Sequence, residues 1–544
     1  MENRSVEEFS RFSSFLSLVM ATVESGGVVC RCREMGSCFP GEARFQGKQI
    51  IKKNLSSFST IPFFRNSFLD RRRLTARNNR IIRMEAREKS RSKIVNSSRR
   101  NKVPVFMMLP VDVFETGPSG KMRIPRFKAI RASLNALKVA GVHGVAVEVW
   151  WGVVERFSPL SYDWFLYEHL FKLISDCGLK LHAALSFHSN IRSTFRGKEG
   201  VSLPQWILEI GAHNRDIYYQ DQKGMSNDDY LTLGVDNFPL FSGRTALECY
   251  GDFILSFVNK FDHLIGDLIE EISIGLGPSG ELRYPAHPFE DGRWRFPGIG
   301  EFQCYDKYMM DDLKMAACRV GKPQWGERGP QNAGGYNSSL SAAPFFKEGD
   351  ENFLSDYGHF FLEWYSGRLI HHADAILEKA AQLLKKYKKN NLPSVILVAK
   401  LGGIYWWYNT VSHPAELTAG YYNTESRDGY DPVTSMLSRH GAALHIPCLE
   451  MADSETPASC FCSPERLLKQ IVGTSEQNVI HLTGRNTNER FDKDGLWQIH
   501  YNCCRPLAAA VVKSFTFFRM NDKIFRLENW NNFLPFIRMM STDH

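Results

Sequence analysis

From Val103 onward, short apolar and β-branched runs recur along the chain: Val105–Leu109, Gly144–Trp151, Leu179–His188, Ile269–Gly277, Ser394–Gly403, Ala442–Glu450, Val479–Asn486 and Phe515–Met520. They are largely continuous rather than alternating, the pattern of strands buried on both faces. Longer segments of helical period, such as Arg126–Ala140 and Tyr357–Lys386, lie between them. Eight such runs alternating with helices predict an α/β protein: a single (β/α)8 TIM barrel with long βα loops, rather than two small domains. No internal repeat and no catalytic metal motif is visible.

Residues 1–100 have a different texture, without sustained periodicity and rich in Ser, Arg and Asn. They hold 21 Lys and Arg against 9 Asp and Glu, so the chain's net charge of +8 belongs to this segment and the remainder is slightly acidic. The predicted organisation is therefore a disordered basic extension over 1–100 and a barrel with a C-terminal extension over 101–544. The Ser- and Arg-rich composition fits a chloroplast transit peptide, although Glu2, Glu7 and Glu8 are unusual in one. The rival reading of Arg71–Arg73 and Arg99–Arg100 as a nuclear or nucleic-acid patch lacks an interleaved aromatic groove. No apolar stretch is long enough to suggest a membrane span.

The 12 cysteines are scattered, without the repeated spacing of a zinc site or the density of a disulfide scaffold. They read mainly as buried thiols in a reducing compartment. Candidate chemistry instead gathers at the C-terminal ends of the predicted strands, where barrels carry their functional residues: Glu148 beside Trp150 and Trp151, His188, Glu281, Lys400, Glu450 and Arg485. Carboxylates with aromatics at a barrel mouth suggest carbohydrate binding. Taken singly, each carboxylate is as readily a salt-bridge partner and the Trp pair as readily packing.

Longer segments are more specific. Gly275–Pro285 reads GLGPSGELRYP, Phe296–Asp306 reads FPGIGEFQCYD, Glu416–Asn423 reads ELTAGYYN, Val147–Gly152 reads VEVWWG and Cys448–Met451 reads CLEM. In these, running in family order from Val103 to Phe525, the chain closely resembles the plant β-amylases of glycoside hydrolase family 14, and most of all their catalytically inactive plastid members. The resemblance implies a (β/α)8 barrel, no cofactor or metal, and an ancestral activity that removes maltose from non-reducing ends of α-1,4-glucans with inversion. An inverting glycosidase uses two carboxyl groups about 6.5–9.5 Å apart, an acid for the leaving oxygen and a base for the attacking water. By resemblance Glu281 stands at the general-acid position. At the general-base position, within a Gly-Glu-Asn tripeptide in active members, this chain reads Gly484-Arg485-Asn486.

Arginine cannot accept a proton from water, and a guanidinium near Glu281 favours its ionised form. Other family substrate-binding positions divide into two groups. His188, Lys400, Asn486 and Arg519 keep the expected residue types; Glu148, Tyr405, Pro447 and Thr487 depart from them. The mobile loop after the third strand, His-x-Cys-Gly-Gly-Asn-Val-Gly-Asp in active members, is replaced by His188–Gly200 (HSNIRSTFRGKEG), where Glu199 is the one candidate for a displaced carboxylate. The reading favoured is a non-catalytic β-amylase-like protein of the plastid stroma that binds or senses starch or malto-oligosaccharide and influences starch breakdown. It leaves room for another plastid starch-metabolism protein as partner, with neither nucleic acid nor membrane expected. The alternatives are a weakly active β-amylase, with Glu450 as a poor substitute base, and a non-enzymatic interaction scaffold.

Overall fold

A computed structural model describes residues 102–541 apart from 117–121, 195–196, 348, 350, 391 and 505–511. The segment read above as a targeting extension lies outside the described residues. Each of the first seven apolar runs contains one parallel strand, and the eighth overlaps one that begins three residues before it: β1 (Val105–Met108), β2 (Gly144–Trp150), β3 (Lys180–Ser186), β4 (Ile269–Ile274), β5 (Ile396–Leu401), β6 (Ala443–Ile446), β7 (Leu482–Arg485) and β8 (Val512–Phe517). Neighbours in sequence are neighbours in the sheet, and β8 pairs with β1 to close the barrel. Every residue of β2 is buried, because one face packs on the helices and the other fills the barrel.

A helix follows each strand: α1 (Phe127–Val139), α2 (Phe165–Asp176), α3 (Ala246–Lys260), α4 (Asp356–Leu384), α5 (Asp431–His440), α6 (Pro464–Gln477), α7 (Lys493–Cys504) and α8 (Leu527–Ser541). Their starts are set locally. Thr245 and Glu248 form a reciprocal capping box at α3, and the Ser355 hydroxyl accepts from the Gly358 N–H at α4. The strands end earlier than the apolar runs. The last residues of each run, including His188, Gly275–Gly277 and Pro447–Glu450, curl out of the sheet and build the mouth.

The barrel interior is unusually polar. His182 Nε2 lies 2.5 Å from Ser273 Oγ, His182 Nδ1 lies 3.2 Å from Glu271 Oε2, and His445 Nδ1 lies 2.7 Å from Thr483 Oγ1. Burial drives the His182 imidazole down to about 3, so it is neutral. Burial above all, with the Glu270 charge adding to it, pushes the Glu271 carboxyl up to about 7. Between 4.5 and about 7 the native state therefore holds a proton that the unfolded chain has lost. Stability contributed at this site falls as pH rises through that window and is level above it. Glu271→Gln is expected to remove the effect. Relative to wild type, the variant gains about 3 kcal/mol between pH 4.5 and pH 8, read as a difference between denaturation midpoints. Parallel stability curves for the two proteins would show that Glu271 is not protonated in the fold.

Candidate functional site

Glu281 reaches the mouth through a tight turn after β4. A Cβ on Gly277 would stand 2.5 Å from the Glu281 carbonyl oxygen, so only glycine lets the chain fold back this closely. The returning residues pair with the end of β5, placing Glu281 opposite Lys400. Arg485 ends β7 and is preceded by Gly484, where a Cβ would strike the Leu449 side chain at 2.1 Å. The missing side chain lets Leu449 fill the space beneath the strand.

These two strand ends meet. Arg485 Nη2 donates to Glu281 Oε1, and Arg283 Nε donates to Glu281 Oε2 at 2.6 Å. The carboxylate is thus held between two guanidinium groups. Lys400 donates from Nζ to the Ser279 carbonyl at 3.0 Å. Burial alone would raise the Glu281 pKa, but Arg485, Arg283 and Lys400 together outweigh it and hold the carboxyl below the usual carboxylate range. Burial, followed by the charge of Arg485, brings the Lys400 ammonium down to about 8. The cavity behind this cluster, bordered by Glu148, His188 and Lys400, measures only about 30 Å³, enough for about one or two waters.

The remaining positions are bound into the framework. Arg519 grips Glu148 with two hydrogen bonds of 3.0 and 3.2 Å and also donates to the Leu109 carbonyl. Burial again opposes ionisation of Glu148, and Arg519, with Lys400 behind it, overcomes it. His188 is buried edge-on against Trp150. Burial takes its pKa down to about 4, so the imidazole is neutral. Asn486 clamps the ends of β7 and β8: its amide donates to the Asn488 and Phe518 carbonyls and accepts from the Phe518 N–H. Thr487 Oγ1 accepts from the Cys448 N–H at 3.1 Å, tying down the loop that begins at Pro447. Tyr405 is half-buried, its ring 6.1 Å from that of Phe296.

Glu450 Oε1 accepts from the Thr487 and Asn488 N–H groups at 2.9 and 2.5 Å. One oxygen of the substitute base considered above is therefore occupied in bracing the loop after β7. The segment after β3 is an antiparallel hairpin, Asn190–Thr194 with Gly197–Val201. The Glu199 side chain lies outside the described residues. Among the described residues no group of His, Cys, Asp and Glu could hold a metal ion, and no helix is long and apolar enough to cross a membrane. Arg283 is the partner that the sequence reading did not single out. It stood inside the GLGPSGELRYP segment, but only the folded turn shows that it faces the same carboxylate as Arg485.

Comparison with known proteins agrees with this architecture. Residues 106–544 match the model of glycosyl hydrolase family 14, and the chain belongs to that family. It is 62% identical over 530 residues to "Inactive beta-amylase 4, chloroplastic" of Arabidopsis thaliana, covering 96% of this chain and 99% of that protein. It is 42% identical over 447 residues to "Beta-amylase 1, chloroplastic" of the same plant, covering 80% of this chain and 75% of that protein. The solved catalytic domain of a Paenibacillus polymyxa β-amylase shares the fold, with a TM-score of 0.65 at 23% identity, covering 82% of this chain and all of that one.

Proposed function

We propose that this protein is a non-catalytic β-amylase that binds α-1,4-glucan in the plastid and influences starch breakdown there without hydrolysing it. The observation that carries the reading is the ion pair between Arg485 and Glu281. A cation fills the place of the general base and touches the general-acid candidate, so neither half of an inverting mechanism operates. Proton abstraction from water needs a basic group at that point, and protonation of the leaving oxygen needs a carboxylic acid rather than a carboxylate. The inactive name of the 62%-identical relative supports the same conclusion.

Glucan as the ligand is supported by membership of glycosyl hydrolase family 14, and by the aromatic rings around the mouth. The test is a starch-pelleting assay run beside a maltose-release assay on pure protein. Sedimentation with starch without maltose release is expected; maltose release would select the enzyme reading, and neither result the scaffold reading. Plastid residence is supported by the chloroplastic names of both relatives and by the Ser/Arg-rich composition of residues 1–100. A fluorescent protein fused behind those residues should accumulate in plastids, and nuclear fluorescence would overturn the assignment.

A further inference from the structure

Where a glucan end would meet the two catalytic positions, Arg485 bridges to Glu281. The cavity deeper in the barrel, lined by Glu148, His188 and Lys400, is too small for a sugar ring. Outside this plug lies a cavity of about 320 Å³, within the range of small-molecule sites. One of its walls comes from the hairpin after β3, through Ile191, and another from the turn carrying Arg283. Phe289, 67% exposed, lies at its edge.

The lining is chemically mixed. Asp228, Asp229 and Asp291 face Arg283 and Arg293, with Phe289 beside them. An anion would meet the carboxylates and a cation the guanidinium groups. A neutral ligand with many hydroxyls satisfies both, and an aromatic ring offers a stacking face for the apolar side of a sugar. Asp229 is suited to such a ligand: burial raises its carboxyl to about 6, and near neutral pH the carboxylate accepts from hydroxyl groups.

Arg293 also borders a second, more open cavity of about 490 Å³. There the guanidinium lies over the Tyr336 ring. Glu301, more than nine-tenths buried in that wall, accepts from the Tyr336 N–H through Oε1, while its Oε2 has no hydrogen-bond partner. Arg293 is common to the two cavities, and polar groups line both.

We propose that this protein holds malto-oligosaccharide in this outer groove, centred on Arg293, and not across the Glu281–Arg485 position. The proposal rests on the glucan-binding reading above and names where that binding occurs. The ligand is an internal or terminal stretch of α-1,4-linked glucose units lying against Phe289, Asp229 and Arg293, with the ion-paired plug beside it.

Maltoheptaose is the probe, titrated calorimetrically into full-length protein, with starch pelleting as a second readout. Arg293→Gln and Phe289→Ala should each weaken maltoheptaose binding by about tenfold, the scale of losing one charge-assisted hydrogen bond or one ring contact. Asp229→Asn, nearly isosteric, guards against misfolding as the cause and should weaken binding severalfold with an unchanged melting temperature. Lys172→Ala, on the exposed face of α2, should bind like wild type. If the three groove variants bind like wild type while Glu281→Gln or Lys400→Ala abolishes binding, glucan binding stands but its location here is wrong. If wild type neither binds maltoheptaose nor pellets with starch, the glucan-binding reading fails and this site falls with it.

Discussion

Pure protein incubated with soluble starch is expected to release maltose at least about 10⁴-fold more slowly than an active β-amylase, at every pH from 4 to 8. Loss of the general base alone removes about 10²–10⁴-fold. The second loss is on the acid side. Glu281 is held below the usual carboxylate range by Arg485, Arg283 and Lys400, so at neutral pH it has no proton to give. Lowering the pH does not rescue the reaction. Glu281 regains its proton only below its depressed pKa, and no carboxylate is then available to activate water, because Arg485 stands in that place. A pH profile without an optimum is the specific signature. A bell-shaped profile with substantial turnover would mean that another pair of groups, such as Glu450 with Glu281, performs the chemistry.

Much of this architecture was legible in the chain itself. The eight strands were visible because parallel barrel strands are buried on both faces and read as unbroken apolar runs. Their ends were misjudged in a consistent direction, since residues such as Gly275–Gly277 and Cys448–Glu450 are apolar or small for reasons of mouth packing rather than strand pairing. Arg485 stood out because one charge had changed sign within an otherwise intact motif. What Arg485 touches was only partly legible. Its contact with Glu281 spans 204 residues, and the bidentate Arg519–Glu148 pair spans 371. Arg283 lay two residues from Glu281, yet its role depends on the turn that brings its guanidinium back to that carboxylate. The polar barrel interior was invisible for a different reason. His182, Glu271 and His445 are single polar residues inside apolar runs, and nothing local distinguishes a buried neutral acid from an exposed ionised one.

Arg485→Glu tests whether one substitution separates this protein from an active enzyme. The variant takes a cation from Glu281 and supplies a carboxylate nearby. Both changes raise the Glu281 pKa and restore its capacity to donate. Arg283 remains on the other oxygen at 2.6 Å, so the recovery on the acid side is partial. The surroundings are also altered. Pro447 offers neither a hydroxyl nor a backbone N–H where active members carry threonine, and the Cys448 N–H beside it is engaged by Thr487. Asn486 is occupied on both sides of its amide by the clamp between β7 and β8. The hairpin after β3 lacks the Gly-Gly-Asn-Val-Gly-Asp sequence through which active relatives close over substrate, and a closing lid excludes water and completes such a site. Groups that act as a unit lose function non-additively, so restoring one member returns little. Arg485→Glu alone is therefore expected to stay about 100-fold or more below an active relative in maltose release. The same change combined with Pro447→Thr and the grafted loop should exceed it by at least about tenfold, with Glu281→Gln abolishing the gain. If the single variant approached the rate of an active relative, the arginine would be the sole block and the altered loops would be without consequence for catalysis.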